Sequence, residues 1–237
     1  MIRMVRTLFI VITMCFGNGL LAQTISVETK IGKSLTHYTF IKKNSCRISF
    51  TDKRPDKADP SLLVCIPAAF TDLNTSKVDG VYAVNGRIEH KSLINKTLGG
   101  VFYIDHGTCN IFQSGKGKRL NDSLFAIVSK QKASFFQQLQ CVQDGKAASF
   151  IDKKVFQRRG IAVLSDNTVA IIESTEAITL KTFSEDLVFL GIKQLIYTDM
   201  GAWDEGWYKD PSSGKPVVIG RDLSQTARQS NWIVFEK

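Results

Sequence analysis

A sheet-dominated α+β domain is what this sequence predicts, and three observations predict it. Tight-turn signals recur along the chain, each flanked by apolar runs of strand length. Helical periodicity is confined to two segments. No internal repeat, low-complexity tract or Pro-rich linker divides the chain, so residues 23–237 are expected to form one mixed domain with a few helices packed on its sheets.

Residues 1–22 stand apart from that domain. Arg3 and Arg6 precede the apolar run "TLFIVITMCFGNGLLA", which closes at Ala22-Gln23. This is the layout of a cleaved secretory signal, broken by Gly17-Asn18-Gly19 and too short for a membrane span. An uncleaved anchor is the alternative, whereas a lipoprotein is excluded because Met14, not a small residue, precedes Cys15. The expected destination is the periplasm or the cell exterior, with no membrane span left after cleavage.

Within the domain, "TDKRPDKADPS" from Thr51 to Ser61 reads as a loop. "VYAVNGRIEH" predicts a hairpin turning at Asn85-Gly86, the strongest short-range hairpin signal. "VFYIDHGTCNIF" repeats the device around Asp105-His106-Gly107, where His106 is a turn residue. "LQCVQDGKAASF" repeats it around Asp144-Gly145, and "GIAVLSDNTVAIIES" turns between Ser165 and Thr168. The clearest helix covers Leu180 to Leu190: Thr179 caps it, Leu180, Phe183, Leu187 and Leu190 share a face, and Gly191 stops it. A second helix is expected over Ser123 to Gln137. "KQLIYTD" then reads as a buried strand and "NWIVFE" as the closing one.

Composition narrows the function. With 43% hydrophobic and 22% charged residues, the chain is neither disordered nor a coiled coil. Without Arg3 and Arg6 the formal +9 falls to about +7, which favours anionic partners such as acidic glycans or phosphate-bearing substrates. Nucleic acid is not expected, because "GKGKR" is a short cluster and no long basic run exists. Cys46, Cys65, Cys109 and Cys141 allow two disulfides in an exported chain, but all sit in strand-like apolar runs, where buried free thiols are common. His37, His90 and His106 are scattered and no CxxC pair exists, so zinc is not expected.

The richest stretch is "LIYTDMGAWDEGWYKD", from Leu195 to Asp210, where a strand ends in carboxylates set among large rings. Asp199 at a strand's C-terminal edge, with Asp204 and Glu205 close behind, supplies the acids that glycosyl transfer needs. Trp203, Trp207 and Tyr208 offer flat faces on which a sugar could stack. A packed loop with solvated acids is the alternative, and a divalent cation such as Ca²⁺ held by the acids is another, although the spacing matches no EF-hand. In "FQRRGIAVL", Arg158 and Arg159 precede a strand and point opposite ways, so that one can enter a pocket and bind phosphate, with two surface charges as the alternative. Arg228 in "RQSNWIVFE" offers the same chemistry. Glu173 and Glu176 are further carboxylates at a strand's exit.

From about Leu62 onward, the order "PAAFTD…DGVYAVNGRI", "GGVFYIDHG", "LQCVQDGK", "RRGIAVLSDNTVAII", helix, "LIYTDMG" and "SNWIVF" resembles the phosphodiester glycosidase family. The resemblance implies a hydrolase acting on a sugar-1-phosphodiester or related linkage; no cofactor is expected, with a divalent cation at the acids as the alternative. Matched residue by residue, Asp199 and Gly201 fall on the family's Asp-Gly-Gly loop, and Arg158 falls on its strand-opening Arg, or Arg159 with a one-residue register shift. Met200 stands where that loop has its first Gly, and Pro67, Ala68 and Ala69 stand where the family has an Asn-Gly stretch. The expected catalytic set is Asp199 with Asp204 or Glu205. The expected substrate contacts are Arg158, Arg159, Trp203, Trp207 and Arg228. A non-catalytic glycan-binding protein on the same scaffold is the rival, and a structural envelope protein is a third.

Overall fold

The computed structural model describes residues 24–237, apart from 73, 152, 202–203 and 221–225. The expected signal segment and Trp203 therefore lie outside the described residues. The chain opens with β1 (Ile25–Ile31), β2 (His37–Lys43), β3 (Arg47–Thr51) and β4 (Leu62–Pro67). Two hairpins follow: β5 (Tyr82–Val84) with β6 (Arg87–Glu89), and β7 (Gly100–Asp105) with β8 (Thr108–Gln113). Helix α1 (Asp122–Gln131) leads into β9 (Ser134–Gln138), β10 (Gln140–Gln143) and β11 (Lys146–Ala147). After β12 (Arg159–Val163) and β13 (Val169–Ser174), α2 (Leu180–Phe189) delivers the chain to β14 (Gln194–Tyr197). β15 (Gly206–Lys209), β16 (Pro216–Ile219), a 3₁₀ turn (Thr226–Arg228) and β17 (Trp232–Glu236) complete it.

Among the described residues these strands make three antiparallel sheets and the helices number two, so the α+β expectation holds. A seven-stranded sheet runs β1-β2-β13-β12-β14-β10-β11. One five-stranded sheet runs β16-β15-β4-β17-β3 and the other β6-β5-β9-β7-β8. The turns do what their residues dictate: Asn85, His106 and Asp144 take positive φ (49°, 48° and 50°) ahead of a glycine, as two-residue hairpins require.

The three sheets face a shared core. Ile41, Ile161, Ile171 and Ile196 from the long sheet meet Ile66, Ile233 and Phe235 from one short sheet, and Phe102 and Phe136 from the other. Alternation sends Tyr38, Phe40, Ala162, Ile172 and Leu195 to the opposite face, under Leu180, Phe183 and Leu187 of α2. Helix α1 covers Val81, Val101 and Phe135 in the same way with Phe125 and Val128. Thr179 caps α2 by accepting from the Thr182 N–H at 3.0 Å, as its sequence predicts.

Two elements depart from expectation. The helix expected to reach Gln137 ends at Gln131, where Lys132 turns left-handed (φ 54°), and Ser134–Gln138 becomes a strand paired to β7 and β5. Burial of all five residues of that strand outweighs the local helical pattern. The acid-rich stretch is not wholly a loop, because Gly206–Lys209 pairs with β4 and β16. All four described cysteines are free thiols, buried in the core.

Candidate functional site

The long sheet and the sheet carrying β4 and β17 join at one end. There the Asp199 N–H donates to the Ala68 carbonyl at 2.9 Å, and the Thr198 N–H to the Arg159 carbonyl at 3.1 Å. Asn231, fully buried just before β17, clamps the other side: its Oδ1 accepts from the Ala69 N–H at 2.7 Å, and its Nδ2 donates to the Ala69 carbonyl at 3.0 Å. The exits of β4, β13 and β14 and the entries of β12 and β17 thus converge on a single corner.

Arg158 and Arg159 leave β12's entry in opposite directions. Arg159 is fully buried and closed off by acids. Its Nη1 and Nη2 grip Asp204 bidentately at 2.8 Å each, and its Nε donates to Glu173 at 2.5 Å. Glu173 also accepts from Gln157 Nε2 at 2.8 Å and from the Gly220 N–H at 3.1 Å. Burial alone would lower the Arg159 pKa, but Asp204 and Glu173 outweigh it and raise it. Gly206 and Gly220 are small for a reason: a Cβ on the first would sit 2.8 Å from Arg159 Nη2, and on the second 2.2 Å from Asp204 Oδ2.

Arg158 is also buried, at 4% exposure, but its partners are neutral. Its Nε donates to the Ile178 carbonyl at 3.0 Å, one terminal nitrogen to the Lys154 carbonyl at 2.7 Å, and the other to the Tyr197 hydroxyl at 3.3 Å. Among the described residues no carboxylate lies within ion-pair distance. A guanidinium carries five N–H donors, so among the described residues one on each terminal nitrogen has no partner. The Phe156 and Tyr197 rings lie 5.2 and 5.8 Å from it. Burial pushes the Tyr197 phenol pKa up, against the pull of Arg158, so the hydroxyl stays protonated.

This guanidinium lines a cavity of 520 Å³, with Phe70, Leu139, Val155, Phe156, Leu180 and Met200 as walls and Gln157, Tyr197, Gly201 and Asp204 as polar margin. Buried cations are costly unless an anion or strong acceptors compensate them. A cavity beside a buried Arg that has no carboxylate within ion-pair distance among the described residues is therefore suited to an anion.

The expected site residues divide. Arg158, Asp204 and Gly201 meet at the cavity, and Asp199 directly precedes Met200 and Gly201 in its wall. Asp199 is 1% exposed and accepts from the Thr71 N–H at 2.9 Å. Asp204 has both oxygens committed to Arg159. Glu205 faces away, pairing with Arg54 and, at 3.7 Å, Lys57. Trp207 is 1% exposed and packs with Leu62, Cys65, Trp232 and Val234, so its faces are taken up by the core. Tyr208 pairs opposite Val64 and Val217 and also packs against the core. Arg228 is exposed on the 3₁₀ turn and is not part of the cavity wall. Glu176 is tied to His37 and Thr175 at the surface. Among the described residues, no three His, Cys, Asp or Glu side chains converge as a metal site. Sequence reasoning missed the aromatic walls Phe70 and Phe156; the place of Phe156, two residues before Arg158 at a strand entry, was the available signal.

Compared by sequence, the chain matches no family profile and no curated protein. Compared by structure, it is similar to the zebrafish N-acetylglucosamine-1-phosphodiester alpha-N-acetylglucosaminidase catalytic domain auto-inhibited by pro-peptide. That match has a TM-score of 0.59 and 9% identity, covering 90% of this chain and 81% of that one. It is also similar to a hypothetical protein from Synechocystis, with a TM-score of 0.59 and 11% identity, covering 90% of this chain and 62% of that one. At these identities the likeness is one of fold.

Proposed function

We propose that the protein is an exported hydrolase of sugar-1-phosphodiesters or closely related glycosidic linkages, working at the Arg158 cavity. The observation that carries this reading is the buried Arg158 guanidinium, held by neutral oxygens beside an open cavity. Similarity of fold to a phosphodiester glycosidase catalytic domain supports it. A phosphate leaving from an anomeric carbon is already a weak base and needs little proton donation. Two things help it leave: a cation against the phosphate, and a carboxylate that supports the developing oxocarbenium ion or directs water. Arg158 supplies the first and Asp199 the second. Asp204, saturated by Arg159, serves to hold the corner in shape. Export rests on the Arg3/Arg6-led apolar segment alone; recovery of a chain beginning at Gln23 from the periplasm or medium of an expressing host is the expected result.

A panel of chromogenic sugar-1-phosphodiesters, tried on residues 23–237 with and without chelator, tests the proposal. Turnover is expected, with Asp199→Asn reducing it about a hundredfold or more and Arg158→Gln lowering kcat as well as raising KM. Full activity in Asp199→Asn would remove that residue from the chemistry.

One observation favours a second reading, a glycan phosphate-binding protein without turnover: neither Asp204 nor Glu205 presents an uncommitted carboxylate to the cavity. That reading predicts saturable, Arg158-dependent binding of the same compounds and no product at any protein concentration.

A further inference from the structure

The cavity is too apolar for a ligand that is all sugar. Each sugar hydroxyl taken out of water needs a hydrogen-bond partner. Leu139, Val155, Phe156, Leu180 and Met200 offer none. The polar margin is partly spent, since both Asp204 oxygens are occupied by Arg159 and the Tyr197 oxygen accepts from Arg158. The apolar character continues outside: Val155 and Phe156 are 57% and 55% exposed, and Ile151, four residues upstream, is 96% exposed. Val155 and Phe156 thus carry the apolar lining of the cavity out to the surface, and Ile151 precedes them in the same segment.

We infer that the ligand is an amphiphile: a phosphodiester whose second alcohol is a hydrocarbon chain, with phosphate on Arg158 and the chain along the Phe156–Leu180 wall. The inference rests on the reading of the cavity as a phosphodiester site and adds the chemical class of the aglycone. A chain seated there gains apolar burial with each methylene, whereas a second sugar in the same volume would lose hydrogen bonds.

The test is isothermal titration of residues 23–237 with inorganic phosphate, glucose-1-phosphate, and ethyl, butyl and hexyl phosphate below their micellar range. Affinity is expected to rise about fourfold per methylene, so roughly two-hundredfold from ethyl to hexyl phosphate. Phe156→Ser and Val155→Ser, at half-exposed positions that tolerate the change, should each flatten that slope. A flat series beside Arg158-dependent binding of glucose-1-phosphate would overturn the inference and leave the hydrolase reading standing. A steep series with no turnover of any sugar phosphodiester would uphold the inference and remove the hydrolase reading. Absence of binding by every compound would overturn both. A free amphiphile and one drawn from a bilayer share this chemistry, and phosphatidylcholine vesicles with and without phosphatidic acid separate them. Vesicle binding lost in Ile151→Ser supports the bilayer source; hexyl phosphate binding without vesicle binding supports the free one.

Discussion

Replacing Asp204 by Asn is the most informative perturbation of the corner that shapes the cavity. Arg159 and Asp204 are 0% and 1% exposed and share two hydrogen bonds of 2.8 Å, so neither charge has water to fall back on. Removing one partner of such a pair costs about 3–5 kcal/mol, chiefly because the other charge is left buried. Glu173 still holds Arg159 through Nε, so the lower end, about 3 kcal/mol, is expected. For a domain of this size with a urea m-value of about 3 kcal/mol/M, the denaturation midpoint should fall by about 1 M at unchanged slope. The complementary variant, Arg159→Met with Asp204→Leu and Glu173→Gln, removes all three charges of the cluster and should recover most of that loss, since a buried ionic cluster is often matched by uncharged residues of similar volume. A midpoint shift below about 0.3 M for Asp204→Asn, the range of an exposed pair, would refute the claim that this pair is desolvated.

Gly220→Ala should be destabilising by about 2 kcal/mol or more, because its φ of 90° disfavours a side chain and the new Cβ meets Asp204; thermal melting measures it. Tyr38→Phe should cost about 2 kcal/mol in urea unfolding, removing a buried 2.8 Å hydrogen bond to Asp186, which anchors the β1–β2 hairpin to α2. Burial pushes the Cys109 and Cys141 thiols up from 9.0 to about 12. Their protonated form is therefore the one the fold keeps: stability is whole below pH 9 and declines as pH rises from 9 toward 12. Native protein should accordingly leave Cys46, Cys65, Cys109 and Cys141 unreactive to a thiol reagent at neutral pH, and denaturation should expose all four.

What could be read from sequence was whatever is decided locally. The turns at Asn85-Gly86 and Asp144-Gly145 follow from residues that tolerate positive φ, and α2 from its Thr179 cap and one apolar stripe. Ser134–Gln138 could not be read, because its strand state depends on β7 and β5, more than thirty residues upstream in part. The site divides along the same line. That Arg158 and Arg159 point opposite ways follows from strand alternation. Which one meets acids depends on Glu173 across the hairpin and Asp204 from a later loop. Trp207 shows the opposite failure: clustered aromatics suggested a platform, yet strand pairing of Gly206–Lys209 turns its ring into the core beside Trp232.

The most direct measurement is a crystal structure of residues 23–237 with glucose-1-phosphate. Phosphate oxygens within about 3.2 Å of both terminal nitrogens of Arg158, inside the cavity walled by Phe70 and Phe156, are the predicted result. Phosphate bound elsewhere, with Arg158 still held only by Ile178, Tyr197 and Lys154, would contradict the account at its centre.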